Sequence, residues 1–189
     1  MTAFLDRALL PVVSRLPGWI TPNAISVFRG LLIAPILALH QEHPLVAVLG
    51  FFLPAMLLDG VDGPLARHRG EASETGALLD ATVDKLFLHG LLWLAVVPPV
   101  PVELAIALTG IDLALTAIRA VKKRRGLTVR SNIYGKLKTF AMSFGVGCAL
   151  SQVPWLGAPA VQLLGVTAVL AGASLFGQFG DFFRKRNAS

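Results

Sequence analysis

Apolar residues run through this chain in long blocks separated by short polar or proline-bearing breaks. That is the pattern of helices crossing a bilayer rather than of a soluble core. Six blocks stand out, at 24–39, 45–66, 76–97, 102–121, 134–150 and 158–179. The first follows Thr21-Pro22-Asn23, a helix-start signal. The third ends before Pro98-Pro99. The pattern predicts an all-α polytopic membrane protein with about six transmembrane helices, read as one integral-membrane domain over 1–189. Ahead of the blocks, Phe4, Leu5, Ala8, Leu9, Val12, Val13 and Leu16 recur at helical spacing, with Asp6, Arg7, Ser14 and Arg15 opposite. This predicts an interfacial amphipathic helix within residues 1–20, disturbed at Pro11. Pro11, Arg15 and Pro17 argue against a secretory signal.

The basic residues orient the spans. Arg7, Arg15, Arg67, Arg69, the cluster from Lys122 to Lys138, and Arg184 to Arg186 all fall at alternate breaks. The breaks at 40–43, 98–101 and 152–159 hold no Lys or Arg. The positive-inside rule then places both termini on the cytosolic side of a cytoplasmic membrane, which requires an even number of spans. His40 and His43 read as solvated loop residues. Trp93 and Trp155 read as anchors at the outer interface.

Composition agrees. The chain has 189 residues, 54% of them apolar and 15% charged, with a net charge of +6. Mean hydropathy is +0.68. Few charges remain to cover a soluble surface, and disorder needs a far more polar chain. In a membrane protein the positive balance points to anionic headgroups rather than nucleic acid. The single cysteine, Cys148, excludes an internal disulfide or a Cys-rich zinc site.

Four aspartates contradict the apolar pattern. Asp59 and Asp62 lie three apart and Asp80 and Asp84 four apart, each pair on one helix face. A hairpin over 59–84 would bring the pairs opposite each other at similar depth. Carboxylates at membrane depth are costly and mark function. Their convergence calls for cations, and all-oxygen ligands favour Mg²⁺ or Mn²⁺. Two such ions would suit phosphoryl chemistry. Gly63 allows close approach to the backbone, Ala66 keeps the face low, Arg67 suits a pyrophosphate, and Ser73 in the turn could donate to a phosphate.

The pattern Asp59-x2-Asp62-Gly63-x2-Ala66-Arg67-x8-Gly76-x3-Asp80-x3-Asp84 resembles the signature of the CDP-alcohol phosphotransferases, with all eight fixed positions present. Thr21-Pro22-Asn23-Ala24-Ile25-Ser26-x2-Arg29 resembles the N-terminal element of many members. The resemblance implies a membrane transferase that moves a phosphatidyl group from CDP-diacylglycerol to a small alcohol and releases CMP. It implies Asp59, Asp62 and Asp80 as ligands of one divalent ion, and Asp59, Asp80 and Asp84 as ligands of a second. Asp84 would also be the catalytic base. Gly63, Ala66, Arg67 and Ser73 would hold the CDP moiety, bordered by Pro22, Asn23, Ala24 and Ile25. It further implies a homodimer among membrane lipids.

For the acceptor, Gly135-Lys136-Leu137-Lys138-Thr139 resembles an element of phosphatidylglycerophosphate synthases. That implies glycerol 3-phosphate, with Arg119, Arg130, Lys136 and Lys138 as a basic pocket for its phosphate. Inositol phosphate, serine and phosphatidylglycerol remain alternative acceptors. Asp112, in the fourth block, orients Arg119 or Lys138, faces the substrate cavity, or makes a buried structural hydrogen bond. Arg29 either reaches the nucleotide or snorkels. The rival class is an ion- or proton-coupled transporter, since intramembrane aspartates also line conduction paths.

Overall fold

The computed structural model describes residues 9–95, 100–124 and 133–186, and all the regular structure in them is helical. Residues 9–13 form a short helical turn. Eight α-helices follow: α1 (Pro22–Leu31), α2 (Ile33–Leu39), α3 (Pro44–Ala47), α4 (Leu53–Arg69), α5 (Glu74–Leu94), α6 (Val102–Arg124), α7 (Ile133–Leu150) and α8 (Gly157–Arg186). The chain divides into two compact units, 1–91 and 92–189.

Four stretches among the described residues are long and apolar enough to span a bilayer: Pro22–Leu39, Pro44–Arg69, Val102–Lys122 and Pro154–Gln178. They coincide with the first, second, fourth and sixth apolar blocks. The other two blocks also fold as helices. The 21 residues of α5 reach about 30 Å, one hydrocarbon thickness. Asp80, Asp84 and Lys85 lower its apolarity. In α7 the apolar part is the shorter Leu137–Leu150.

Prolines shape the first two spans. The continuous helix expected over 24–39 is broken at Leu32, because Pro35 lacks an N–H and its ring crowds the carbonyl one turn back. Pro54 acts similarly in the second span. A π-helical turn, Val48–Phe52, precedes α4, and the Leu53 amide donates to the Val48 carbonyl.

In the first unit, Val13 from the N-terminal turn, Ile25 from α1 and Leu65 from α4 form a small core. Leu9, Leu16 and Ile20 pack against it. The interfacial helix expected over 1–20 therefore docks on the protein through Leu9, Val13 and Leu16. Val12, expected on the same face, is half exposed. Phe4, Leu5 and Ala8 lie outside the described residues. Glycines let α5 approach α1 and α2: a Cβ on Gly30 would meet Val83 at 3.2 Å, and one on Gly90 would meet Ile33 at 3.1 Å. In the second unit α7 and α8 approach closely at Gly145, where a Cβ would meet Leu164 at 2.9 Å. His40, expected to be solvated, is buried, with Nδ1 2.9 Å from the Leu37 carbonyl. Trp155 is exposed, and Trp93 donates from Nε1 to Thr109 Oγ1 at 3.2 Å.

Candidate active site

The site begins with three helix ends. Thr21 caps α1, its Oγ1 accepting from the Ala24 amide at 3.2 Å, with Pro22 in the first turn. Helix α4 stops at Gly70, whose φ of 69° is left-handed. The Glu71 amide bonds back to the Ala66 carbonyl at 2.9 Å, and the Gly70 amide to Arg67 at 3.3 Å. This is a Schellman closure that only glycine adopts without strain. Ser73 then opens α5, its Oγ accepting from the Gly76 amide at 3.0 Å. The turn between α4 and α5 is thus short and locally determined.

These ends enclose a cavity of about 230 Å³. Pro22, Asn23 and Ser26 line it from α1, and Asp62, Gly63, Ala66 and Arg67 from α4. Glu71, Ala72 and Ser73 border it from the turn, and Gly76, Ala77 and Asp80 from α5. Gly76 is needed for this closeness, since a Cβ there would lie 2.9 Å from Asn23 Oδ1. A Cβ on Gly63 would crowd the Arg67 guanidinium at 3.3 Å.

Six of the eight residues expected to hold CDP thus border one cavity. Ala24 and Ile25 do not. Ile25 points into the core with Val13 and Leu65, and Ala24 is exposed outside the cavity. One helical turn cannot present four consecutive residues to one side. Ser26, Glu71, Ala72 and Ala77 line the cavity but were not assigned there from the sequence. For Ser26 the available signal was its place one turn after Pro22 and Asn23.

Asp62 is buried and held on both oxygens, accepting from Ser26 Oγ at 3.0 Å and from the Gly63 amide at 2.6 Å. Asp59 and Asp80 share one partner, Arg29, which is completely buried. Arg29 pairs with the Asp59 carboxylate and donates from Nη2 to Asp80 Oδ1 at 2.9 Å. Arg29 therefore neither snorkels nor borders the cavity. It supplies counter-charge inside the aspartate cluster, where metal cations alone had been expected to supply it. Asp84 is half-buried on α5, one turn beyond Asp80, and is also engaged in an interaction.

The donor set fits a hard divalent cation, because every candidate ligand is a carboxylate. The grouping is looser than the spacing suggested. Among the described residues, no three His, Cys, Asp or Glu side chains gather where they could hold an ion. Asp59 and Asp80 turn to Arg29 instead, and Asp62 turns to Ser26.

The residues expected to bind the acceptor's phosphate lie in the second unit. Lys138 is buried and pairs with Asp112. That resolves the orientation of Asp112 and leaves Lys138 with an internal partner. Arg119 lies beside Gly135, where a Cβ would be 3.5 Å from Nη2. Arg130 and the side chain of Lys136 lie outside the described residues.

The sequence matches the family described as CDP-alcohol phosphatidyltransferase over residues 19–176. It is 31% identical over 109 residues to a probable phosphatidylglycerophosphate synthase of Mycobacterium tuberculosis, covering 57% of this chain and 52% of that protein. The chain thus spans about half the length of that relative. It is 31% identical over 134 residues to the CDP-diacylglycerol–glycerol-3-phosphate 3-phosphatidyltransferase of Bacillus subtilis, covering 67% of this chain and 69% of that one. It is also 29% identical over 135 residues to the archaetidylinositol phosphate synthase of Aeropyrum pernix, covering 69% and 68%. The fold resembles the crystal structure of Mycobacterium tuberculosis phosphatidylinositol phosphate synthase with CDP-DAG bound. That match has a TM-score of 0.59 at 22% identity and covers 95% of this chain and 92% of that one. Helices α1, α4 and α5, with the whole aspartate signature and the cavity they form, lie inside the matched region, and the chain belongs to the CDP-alcohol phosphatidyltransferase family.

Proposed function

We propose that this chain transfers a phosphatidyl group from CDP-diacylglycerol to a small alcohol with release of CMP, as one integral-membrane domain with glycerol 3-phosphate as acceptor. The observation that carries the transferase reading is the cavity itself. It gathers Asn23 and Ser26, Gly63 and Arg67, and Ser73 and Asp80 around one space at the ends of three helices. Arg67 offers a planar pair of donors to a pyrophosphate, and Gly63 leaves room for it. The Ser73 hydroxyl accepts from Gly76 and keeps its own proton to donate.

The acceptor's oxygen attacks the phosphatidyl phosphorus. Its proton passes to the Asp84 carboxylate, the P–O bond to CMP breaks, and CMP leaves with that electron pair. Members of the family use divalent metal ions. Asp59, Asp62, Asp80 and Asp84 are the proposed ligands, and Mg²⁺ or Mn²⁺ there would offset the pyrophosphate's charge. The basic breaks favour a cytosolic site in a cytoplasmic membrane, where lipid tails stay in the bilayer while the acceptor arrives from water. Two copies of the chain would assemble as a homodimer.

Glycerol 3-phosphate is favoured because the Mycobacterium and Bacillus relatives carry names of that reaction. The Aeropyrum relative's name points to an inositol phosphate. The test offers purified protein CDP-diacylglycerol, Mg²⁺ or Mn²⁺, and each acceptor separately, and follows CMP release. Turnover with glycerol 3-phosphate alone, lost in Asp84→Asn, is expected. Turnover with inositol phosphate instead overturns the acceptor, unchanged turnover in Asp84→Asn overturns the base, and no CMP with any acceptor overturns the activity.

A further inference from the structure

Arg69 lies at a position the aspartate signature leaves open, and its charge entered the sequence reading only through the orientation of the spans. Its side chain does something else. It is the last residue of α4, and its guanidinium turns back onto the main chain of residues 16–20. Nη1 donates to the Ile20 carbonyl at 2.6 Å and to Gly18 at 3.4 Å. Nη2 donates to Leu16 at 2.8 Å and to Pro17 at 3.0 Å. One side chain thus serves four carbonyls about fifty residues away in sequence. These carbonyls belong to the turn joining the docked N-terminal helix to Thr21, the cap of α1.

Leu16 and Ile20 pack on the core at its two ends, but the turn has few main-chain hydrogen bonds of its own. Pro17 has no N–H, and the Ile20 amide bonds only locally, to the Pro17 carbonyl at 3.1 Å. Immediately after it come Thr21, Pro22 and Asn23, and Asn23 lines the cavity against Gly76. Two residues before Arg69, Arg67 lines the cavity directly. The last turn of α4 therefore sends one arginine to the cavity and one to the chain that delivers α1 to it.

We infer that Arg69 is a positioning residue: its fork on the 16–20 carbonyls fixes where α1 begins and so holds Asn23 at the nucleotide cavity. The cavity's role rests on the function proposed above; the grip on the turn does not. A guanidinium can reach four carbonyls in one plane, whereas an ammonium is a point charge on a flexible stem. This separates positioning from anchoring. If Arg69 only held the chain to anionic headgroups, lysine would replace it.

The test uses the full chain in lipid nanodiscs, with Arg69→Lys and Arg69→Gln beside the wild type. The first readout is tryptic cleavage after Arg15, read by fragment mass, which needs no turnover. Cleavage in both variants is expected to accelerate about tenfold or more, the scale of losing hydrogen bonds from a charged donor. The second readout is kinetic: KM for the CDP-lipid should rise by a similar factor with kcat changed much less. Asn23→Ala should raise KM without faster cleavage. Wild-type cleavage in both Arg69 variants overturns the grip, whatever the protein's activity. Faster cleavage with unchanged KM overturns its role in positioning Asn23. A lysine variant matching the wild type in both readouts identifies a charge anchor and overturns the inference. If Arg69→Gln does not fold, Arg69→Lys carries both readouts alone.

Discussion

Arg29 places its guanidinium between aspartates of two neighbouring helices. In the chain it is a cation inside an apolar helix, compatible with snorkelling. In the fold it is fully buried, and its guanidinium joins Asp59 on α4 to Asp80 on α5. Both carboxylates keep partial access to solvent, so the pair is less enclosed than a fully buried one. Arg29→Met is expected to cost about 2 kcal/mol, below the roughly 3–5 of a fully buried pair. Arg29→Lys should recover only part, because one ammonium cannot bridge two helices as a fork does. Unfolding in mild detergent reads both, and full recovery by lysine would show that charge alone suffices. Gly76 makes the opposite case. A Cβ there meets the ends of two side chains, Asn23 Oδ1 at 2.9 Å and Ser73 Oγ at 3.0 Å, and not backbone. Gly76→Ala should therefore change stability by less than about 1 kcal/mol while displacing Asn23 and the Ser73 hydroxyl, both of which border the cavity. A several-fold rise in KM for the CDP-lipid at near-wild-type thermal stability is expected; an unchanged KM would remove both Asn23 and Ser73 from the site.

Among the helices, α6 and α7 raise a question of chemistry. Sequence resemblance put Lys138 in a pocket for the acceptor's phosphate. The helices bury it and pair it with Asp112. A buried ion pair is costly to break from one side and cheaper to replace whole. Asp112→Asn should therefore destabilise by about 3 kcal/mol, the range for leaving a buried charge unpaired. The double variant Asp112→Leu/Lys138→Met should be more stable than Asp112→Asn alone. Thermal unfolding of the three proteins decides it. If Lys138→Met instead leaves stability intact and raises only the acceptor's KM, the pocket reading returns. The ends of the elements follow local signals, of which the Thr21-Pro22 start was read in the sequence while the Gly70 stop and the Ser73 cap came from the structure. Thr21-Pro22 opens α1, Gly70 closes α4 and Ser73 opens α5, each through bonds between residues a few positions apart. The breaks at Leu32 and before Pro54 were less visible. A proline in an apolar run predicts a disturbance but not whether the helix kinks, widens or restarts.

At the scale of the molecule, exposed Leu, Val and Phe side chains cover the helices, Leu57, Leu113, Val169 and Phe176 among them. In water such a surface would aggregate; against lipid it is the expected one. The alternation of basic and uncharged breaks makes a topology that can be checked directly. In a Cys148→Ser background, a cysteine at Gln41 is expected to react with a membrane-impermeant maleimide on intact cells. One at Glu71 should react only after permeabilisation. The reverse pattern would turn the protein over and move the aspartate end of the hairpin to the outer face.

The sequence alone determined what depends on neighbours in the chain and on solvent. Apolar blocks of bilayer length and the Thr21-Pro22 helix start are one-dimensional signals that carried their elements, and the spacing of Asp59, Asp62, Asp80 and Asp84 is a one-dimensional signal that carried the family. Only the tertiary structure decided which charges meet. The pairing of Arg29 with two aspartates, of Lys138 with Asp112, and of Arg69 with four carbonyls of the 16–20 turn joins residues 26 to 53 positions apart. No local pattern encodes such partners. Desolvation during packing selects them, because a buried charge must find whichever opposite charge or carbonyl the helices bring within reach.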